Sequence, residues 1–145
     1  MDQLDQKIIA IMQEQGRISL TELGKLVGLS QPAVTERVRR LEEKEIISQY
    51  RAVVPAQKIN KTMTAFLLFH TKDCEGLVKF CKQADDLVEC HRISGQYNYL
   101  LKVVTESMQS LEAFINACGK YGDSTTMIVM STPIDYKPLI PLLAE

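Results

Sequence analysis

Three arginines, Arg37, Arg39 and Arg40, lie within four positions in the stretch LSQPAVTERVRRLEEKEII, residues 29–47. Guanidinium groups bind phosphate oxygens and the edge of guanine, so this row is a candidate DNA-reading surface. A solvated helix surface would explain the same row, because Glu36 and Glu43 each stand four residues from an arginine. Such exposed pairs contribute only about 0.3–0.5 kcal/mol each. The elements around the arginines decide between these two interpretations.

Two helices are predicted before the arginines. The first is expected to end at Gly16 in the left-handed conformation, and its apolar residues at a helical period are Leu4, Ile8, Ile11 and Met12. Ser19 and Glu22 form a capping box for the second helix. Within that helix Gly24 permits close packing, and Gly28 is expected to end it. Both helices are therefore predicted to be short and well delimited.

A third helix carries the arginines. Ser30 is predicted to cap it, with Pro32 in the first turn. One apolar stripe, formed by Val34, Val38 and Leu41, must face the first two helices because nothing else nearby can cover it. The residues that project away from this stripe are Pro32, Glu36, Arg39, Arg40 and Glu43, with Thr35 on the flank. Two capped helices joined by a short turn with a glycine make a helix-turn-helix.

This context favours DNA binding over a solvated surface. A helix-turn-helix places its second helix in the major groove, where the N-terminal residues of that helix contact base edges. The predicted DNA-binding residues are Ser30, Gln31, Ala33, Thr35, Arg37, Arg39 and Arg40. Gln31 offers a bidentate amide edge to adenine, and Arg39 or Arg40 suits a phosphate or a guanine. The predicted partner is double-stranded DNA.

The basic residues are concentrated in the N-terminal part of the chain. Residues 1–62 hold 10 Lys and Arg against 8 Asp and Glu, whereas residues 63–145 hold 7 against 10, and the formal net charge is −1. Nonspecific DNA binding is electrostatic, so this small excess predicts weak binding by a single chain. Useful affinity is expected to need several DNA-binding units held together.

The periodicity changes near residue 63 and predicts a second domain. Four segments have the composition of strands: TAFLLFHTK, LVECHRIS, NYLLKVVT and TTMIVMS. Two amphipathic segments, CEGLVKFCKQADD and SMQSLEAFINACGKYG, are predicted helices, and Ser107 or Ser110 is expected to cap the second. The order strand, helix, strand, strand, helix, strand is the split βαβ or ferredoxin-like arrangement. Three prolines after residue 132 predict an irregular tail.

The predicted fold class is therefore α+β, a winged helix-turn-helix followed by a ferredoxin-like βαββαβ domain. We assign residues 1–50 to the helix-turn-helix, 51–62 to a linker strand, 63–135 to the ferredoxin-like domain and 136–145 to a C-terminal tail. The strand assignment before residue 62 rests on ISQYRAVV, whose composition suits a wing or the start of a linker.

Composition excludes other classes of function. Hydrophobic residues make up 46% of the chain, but no apolar run exceeds the five residues of AFLLF, so no membrane partner is expected. The amino terminus lacks the pattern of a secretory signal, and we expect a cytoplasmic protein. The four cysteines form no Cys-x-x-Cys pair, and Cys90 and His91 point to opposite faces of a strand, so no metal or cofactor is assigned. His70 and His91 are the only imidazoles, and no catalytic residue is assigned.

The N-terminal stretch LDQKIIAIMQEQGRISLTELGKLVGLSQPAVTERVRRLEEKEIISQY resembles the DNA-binding domain of the Lrp/AsnC family of leucine- and asparagine-responsive regulators. SGQYNYLLKVV is similar to the glycine-turn motif of that family's effector domain, so the resemblance covers about residues 2–135. It implies homodimers that pair their ferredoxin-like sheets, often assembled into octamers, which bind DNA and respond to amino acids. The apolar character of AFLLF and MIVM fits such pairing, since two helices cover only one sheet face.

The resemblance also implies an effector site at the glycine turn, carried by Gly95, Tyr97 and Asn98. Glycine lets backbone N–H groups approach a small ligand, and such groups suit an α-carboxylate. Many members of the family have an acidic residue where Asn98 stands, and a neutral amide cannot pair ionically with an α-ammonium group. The candidates for the rest of the effector pocket, for which plain core packing is the alternative, are Met108, Thr126, Met127 and Ile128.

Three functions remain open at this point. The first is a transcriptional regulator in which an amino-acid effector bound between dimers biases their assembly. The second is an architectural protein that wraps DNA without a ligand, which the Asn98 departure favours. The third is an enzyme, since some tetrapyrrole-decarboxylating proteins resemble this family in both domains. Catalytic acid-base groups in a cavity would be needed for the third.

Overall fold

The computed structural model describes residues 1–143, which form two compact units: residues 1–53 with the tail from Ile134, and residues 54–133. The first unit contains the helices α1 (Gln3–Glu14), α2 (Leu20–Val27) and α3 (Gln31–Glu43). The second contains β1 (Met63–Thr71), α4 (Cys74–Gln83), β2 (Leu87–Arg92), β3 (Tyr99–Thr105), α5 (Met108–Cys118) and β4 (Gly122–Ile128). Short 3₁₀ turns lie at Ala56–Ile59 and Gly119–Tyr121. The predicted α+β fold class and the βαββαβ order are confirmed.

A turn of three residues joins α2 to α3. Gly28 adopts the left-handed conformation with φ 74°, as predicted, and the Leu29 N–H donates to the Gly24 carbonyl at 2.8 Å. The Ser30 hydroxyl then accepts a hydrogen bond from the backbone N–H of Ala33 at 3.4 Å, which caps α3. The helix-turn-helix is therefore specified by residues that set backbone direction at each end of the turn.

The core of the first unit lies where the three helices meet. Its buried side chains are Ile8, Ile9, Leu23, Val27, Val34, Val38 and Leu41. The predicted stripe of α3 belongs to this core, and Val34 is completely inaccessible to solvent. Because burial of an aliphatic side chain contributes roughly 1.5–3 kcal/mol, this stripe determines which face of α3 points inward.

The second unit is a four-stranded antiparallel sheet in the order β2-β3-β1-β4. Alternate residues of β1, namely Ala65, Leu67 and Phe69, are completely buried against α4 and α5. The opposite sheet face carries Phe66 and Leu68 of β1, with Met127 of β4 paired to Phe66. The helices cover only the first face, so apolar side chains remain partly exposed on the second.

Several local predictions were wrong. Gly16 is not left-handed, because α1 ends at Glu14 and its C-cap residue is Gln15, whose N–H donates to the Ile11 carbonyl. Ser19 accepts a hydrogen bond from the Glu22 N–H, but only this half of the predicted capping box forms. Met108, for which core packing was the alternative to the effector pocket, is 48% exposed.

The predicted wing and linker strand are also absent from the described residues. A 3₁₀ turn stands within residues 51–62, and no strand is formed between the end of α3 and β1. Val53 is 92% exposed. A strand requires a hydrogen-bonded neighbour, which composition alone does not provide.

The last strand begins earlier than predicted, at Gly122 instead of Thr125, and ends at Ile128. Gly122 has φ 155°, and a Cβ atom there would overlap the carbonyl oxygen of His70 on β1. Only glycine allows this close approach, so the pairing of β4 with β1 starts at the residue that ends the predicted helical segment SMQSLEAFINACGKYG.

The tail forms no helix or strand up to residue 143, as predicted. It packs on α1 through the Gln13 side chain, which donates to the Leu139 carbonyl at 2.7 Å and accepts from the Leu139 N–H at 2.9 Å. The described part of the tail therefore belongs to the N-terminal unit and is not a separate region.

Replacement of Gly24 by Ala tests the close contact at the turn. A Cβ atom at position 24 would lie 2.7 Å from the Leu29 carbonyl oxygen and 3.4 Å from Val34 Cγ1. Alanine normally stabilises a helix interior by about 0.5–1 kcal/mol over glycine, but we expect Gly24→Ala to lower the free energy of unfolding by about 1–3 kcal/mol. Urea denaturation measures this change.

The matched control is Gly16→Ala, where the nearest atom to a new Cβ, the Met12 carbonyl oxygen, is 4.0 Å away. The control is expected to change stability little. If both variants unfold at the same urea concentration, the Leu29 carbonyl can move away from the new Cβ without loss of stability, and the turn is not tightly packed.

Candidate nucleic-acid interface and effector site

The outer face of α3 lies opposite the buried stripe, and Gln31, Thr35, Arg39 and Arg40 are exposed there. Thr35 directs its hydroxyl to the Gln31 carbonyl at 2.7 Å, and Ala33 is half-buried beside the capping residue Ser30. We call the surface formed by Ser30, Gln31, Ala33, Thr35, Arg39 and Arg40 the α3 face. The structure brings these six predicted residues onto one helix end and its outer side.

Arg39 and Arg40 are both bound to Glu36. Arg39 Nη2 and Nε donate to the two Glu36 carboxylate oxygens at 2.7 and 2.9 Å, and Arg40 Nε donates to Oε1 at 3.0 Å. Arg39 also pairs with Glu43. Hydrogen bonds from Arg39, and then from Arg40, lower the pKa of Glu36 to about 2, so this carboxylate is charged at neutral pH. The α3 face thus carries its own counter-charges.

Arg37 points elsewhere. Its Nη1 contacts both carboxylate oxygens of Asp2, at 3.0 and 2.9 Å, and Asp5 Oδ1 at 2.8 Å. The hydrogen bonds that Arg37 donates to Asp5, and then to Asp2, raise the pKa of Arg37. The side chains of Arg37 and Asp5 are only 29% and 17% exposed. Arg37 is therefore separate from the other two arginines. Its salt bridges connect α3 to the start of α1.

The acidic partners of Arg37 were missed at the sequence level. Asp2 and Asp5 form a complete capping box at the start of α1, in which each side chain accepts from the other residue's backbone N–H. The spacing of two aspartates three residues apart before an apolar period was visible as a helix-start signal. Their pairing with Arg37, 32 to 35 residues away, was not visible.

The glycine turn lies between β2 and β3. Gly95 has φ 113°, a conformation that favours glycine, and no atom lies within 4 Å of where its Cβ would be. The Tyr97 hydroxyl lies 2.9 Å from Thr125 Oγ1 on β4, so the turn is held across the end of the sheet. An open, exposed backbone at Gly95 is accessible to a small ligand.

Asn98 is engaged by the backbone of Thr71. Its Oδ1 accepts from the Thr71 N–H at 3.0 Å, and its Nδ2 donates to the Thr71 carbonyl at 2.8 Å. The Asn98 backbone N–H donates to the Phe69 carbonyl at 3.0 Å. The Asn98 side chain therefore continues the hydrogen-bond ladder between β3 and β1. One amide donor and one amide acceptor are used in these bonds. Sequence reasoning missed Thr71 as its partner.

The remaining effector candidates do not join Asn98 within one chain. In the β1–β4 register, Thr126 and Ile128 pair with the buried-face residues Leu67 and Ala65, whereas Met127 pairs with Phe66 on the other face. Met108 follows the end of β3 that is remote from the glycine turn. The two ends of β3 are six residue steps apart, which is about 20 Å. A single chain cannot place all seven predicted residues around one small ligand.

The two histidines and four cysteines form no site of their own. His70 Nδ1 lies 3.2 Å from the Gln96 carbonyl oxygen, and His91 lies 3.3 Å from Glu89. Within residues 1–143, no group of three His, Cys, Asp or Glu side chains is arranged to hold a metal ion. Burial raises the pKa of the Cys81 thiol to about 12 and that of Cys118 to about 11, which keeps both thiols protonated.

Comparisons with known proteins agree with this architecture. The family model of the AsnC-type helix-turn-helix domain matches residues 1–42, and the model of the Lrp/AsnC ligand binding domain matches residues 57–139. The chain belongs to the Lrp/AsnC family of helix-turn-helix transcriptional regulators. The first unit is the DNA-binding type of domain and the second is the ligand-binding type.

Two relatives come from Bacillus subtilis (strain 168). The uncharacterized HTH-type transcriptional regulator YezC is 46% identical over 91% of this chain and 95% of its own length. The HTH-type transcriptional regulator LrpC is 35% identical over 90% of this chain and 92% of its own. The solved structure of B. subtilis LrpC has a TM-score of 0.89 and covers 94% of this chain and 99% of that chain.

A transcriptional regulator from Neisseria meningitidis, solved as a complex with L-Met, has the same fold. Its TM-score is 0.89 at 22% identity, and 96% of each chain is covered. Among the described helices of the present chain, none is both long and apolar enough to span a membrane.

Replacement of Asn98 by Asp tests the role of this side chain in the sheet. A carboxylate can still accept from the Thr71 N–H, but it loses the bond to the Thr71 carbonyl and faces that oxygen with a negative charge. We expect Asn98→Asp to lower the free energy of unfolding by about 1–3 kcal/mol at pH 7. Repulsion raises the pKa of the new carboxyl in the folded state above its unfolded value of about 3.9. The loss of stability is therefore expected to shrink as the pH falls through this raised folded pKa, and to be smallest near and below a pH of about 4.

The control is Asn116→Asp at an exposed position of α5. Urea denaturation at pH 7 and at pH 4 measures both variants. If Asn98→Asp is as stable as the control at neutral pH, the hydrogen bonds to Thr71 contribute nothing to the fold.

Proposed function

We propose that this chain is a sequence-specific DNA-binding transcriptional regulator whose action is modulated by a small amino-acid effector bound between dimers. The observation that carries the proposal is the α3 face: the buried stripe orients the helix, and Gln31 and Thr35 are exposed at its N-terminal end. An α-helix of 13 residues is about 20 Å long and fits the major groove of B-DNA.

The proposed contacts divide by chemistry. Gln31 and Thr35 suit base edges, with Ser30 and Ala33 beside them at the helix end, and Arg39 and Arg40 suit phosphate or guanine. We leave Arg37 out of the proposed contacts, because its guanidinium would first have to break its bonds to Asp2 and Asp5. Its proposed role is to hold α3 against α1.

The proposed assembly is a homodimer that pairs the open faces of two sheets, extended to a higher oligomer such as an octamer. Phe66, Leu68 and Met127 give that face an apolar character that the helices of one chain do not cover. Several DNA-binding units would then act together, which offsets the weak electrostatic attraction of each chain.

The proposed effector site lies between chains. One end of the sheet holds Gly95, Tyr97 and Asn98. The other end holds Met108, together with Ile128 and Met127, which pair with Ala65 and Phe66. A second chain could supply the missing part of the pocket. The L-Met in the Neisseria meningitidis regulator makes methionine one of the ligands to test.

A ligand-independent architectural protein is the second candidate. The observation that favours it is the pairing of the Asn98 amide with Thr71, which leaves this side chain less available to an α-ammonium group. An enzymatic role has less support: within residues 1–143, His91 has Glu89 as its one titratable partner and His70 contacts only the Gln96 carbonyl oxygen. A visible absorption band after incubation with a tetrapyrrole would reopen it. As a DNA-binding regulator, the protein is proposed to act in the cytoplasm.

The double variant Arg39→Ala with Arg40→Ala tests the α3 face. Both side chains are more than half exposed, at 52% and 65%, so we expect loss of DNA binding with an unchanged oligomer mass. Gel shift on a duplex that the unaltered protein selects from a random pool, with light scattering, measures both properties. Lys79→Ala with Lys82→Ala on α4 removes the same charge from the second unit and serves as control. Loss of binding in both double variants would indicate a general charge effect. A lower oligomer mass in the Arg39→Ala, Arg40→Ala variant would show that these side chains support assembly and do not form a free DNA-binding face.

The effector proposal is tested by titration with each of the twenty amino acids. Light scattering reports the oligomer mass and a thermal-shift scan reports stabilisation. We expect one amino acid to raise the melting temperature or change the mass selectively, because a ligand that binds one assembly better shifts the population toward it. A constant mass and melting temperature with all twenty would favour the architectural candidate.

A further inference from the structure

Glu36 is the acceptor that both exposed arginines of α3 share. It receives two hydrogen bonds from Arg39 and one from Arg40, all between 2.7 and 3.0 Å. The carboxylate is 43% exposed and stands between the two guanidinium groups on the outer side of the helix. Its two oxygens present the planar acceptor pair that a phosphate group presents to an arginine.

The carboxylates of α3 do not share this role equally. Glu43 pairs with Arg39 alone, and Glu42 accepts from the Tyr50 hydroxyl at 2.6 Å. Glu36 is therefore the residue in the described chain whose charge opposes both arginines of the α3 face. Because its pKa is held at about 2, it keeps this charge at every pH at which the protein is expected to work.

Competition with DNA follows from these contacts. Exposed ion pairs within a helix are weak, so a phosphate can displace Glu36, but each displaced contact subtracts from the energy of binding. Binding to nonspecific DNA depends almost entirely on phosphate contacts, whereas specific binding also has base contacts. Any group that weakens phosphate contacts therefore reduces nonspecific binding by a larger share.

We propose that Glu36 is a specificity-determining residue, which holds Arg39 and Arg40 away from the phosphates of nonspecific DNA. This inference rests on the proposed DNA-binding function. In the free protein Glu36 occupies the two guanidinium groups. On a preferred sequence, the contacts made by the N-terminal end of α3 supply the energy that releases them.

The test is Glu36→Gln, which keeps the shape of the side chain and removes its charge. The matched control is Glu42→Gln, which removes the same charge from the same helix and leaves the pairs of Arg39 and Arg40 in place. Two DNA probes are used with the full chain: a mixed-sequence duplex, and a duplex selected from a random pool by the unaltered protein. Affinities are measured over a range of salt concentrations.

Glu36→Gln is expected to bind the mixed-sequence duplex about 3- to 10-fold more tightly at low salt. The slope of log affinity against log salt concentration should become steeper by about 1 to 2, since up to two further phosphate contacts form. A smaller gain is expected on the selected duplex, so the ratio of specific to nonspecific affinity falls. Glu42→Gln should change the slope little. A second variant, Glu36→Ala, should give the same direction of change.

Three results would overturn the inference. One is a Glu36→Gln protein with the affinity and salt slope of the unaltered protein, while Arg39→Ala with Arg40→Ala still weakens binding; the DNA-binding proposal would then stand without it. Another is an equal gain in Glu36→Gln and Glu42→Gln, which would indicate a general charge effect. The third is that no form of the protein binds the mixed-sequence duplex or selects any duplex from the random pool at low salt. This result would contradict the proposed function as well.

Discussion

The arrangement of the N-terminal unit depends on the burial of one stripe on α3. Val34, Val38 and Leu41 pack into the core formed with α1 and α2, and the close approach at Gly24 requires a residue without a side chain. Once this stripe is buried, the rotation of the helix is set, and every other property of the α3 face follows. Gln31 and Thr35 become exposed, and Arg39 and Arg40 come within reach of Glu36.

The second unit obeys a different constraint. A four-stranded sheet has two faces, and two helices cover one of them. The other face keeps half-exposed apolar residues, and the effector candidates are divided between opposite ends of β3. Our proposal explains both features by a second chain that covers the open face and completes the site. Assembly and effector binding are for this reason linked in our proposal: one chain presents the apolar face that pairs, whereas the effector candidates come together only between chains.

Much of the fold could be predicted because it is local. Helix caps at Ser30 and Ser107, the left-handed Gly28 and the apolar periods of α3 and β1 each act within a few residues. The errors arose where a distant partner decides the structure. The stretch ISQYRAVV, residues 47–54, has the composition of a strand, but no strand of the described residues pairs with it. Likewise β4 starts at Gly122 because the glycine fits against His70, about fifty residues away along the chain.

The candidate site divides in the same way. The sequence by itself determined the helix-turn-helix, the order of strands and helices, the family and the residues on the outer side of α3, because helical period and capping are properties of neighbouring positions. Only the tertiary structure decided that Arg37 pairs with Asp2 and Asp5, and that the Asn98 amide is bound to Thr71. These contacts join residues 27 to 35 positions apart, and their geometry exists only after the helices and strands have packed.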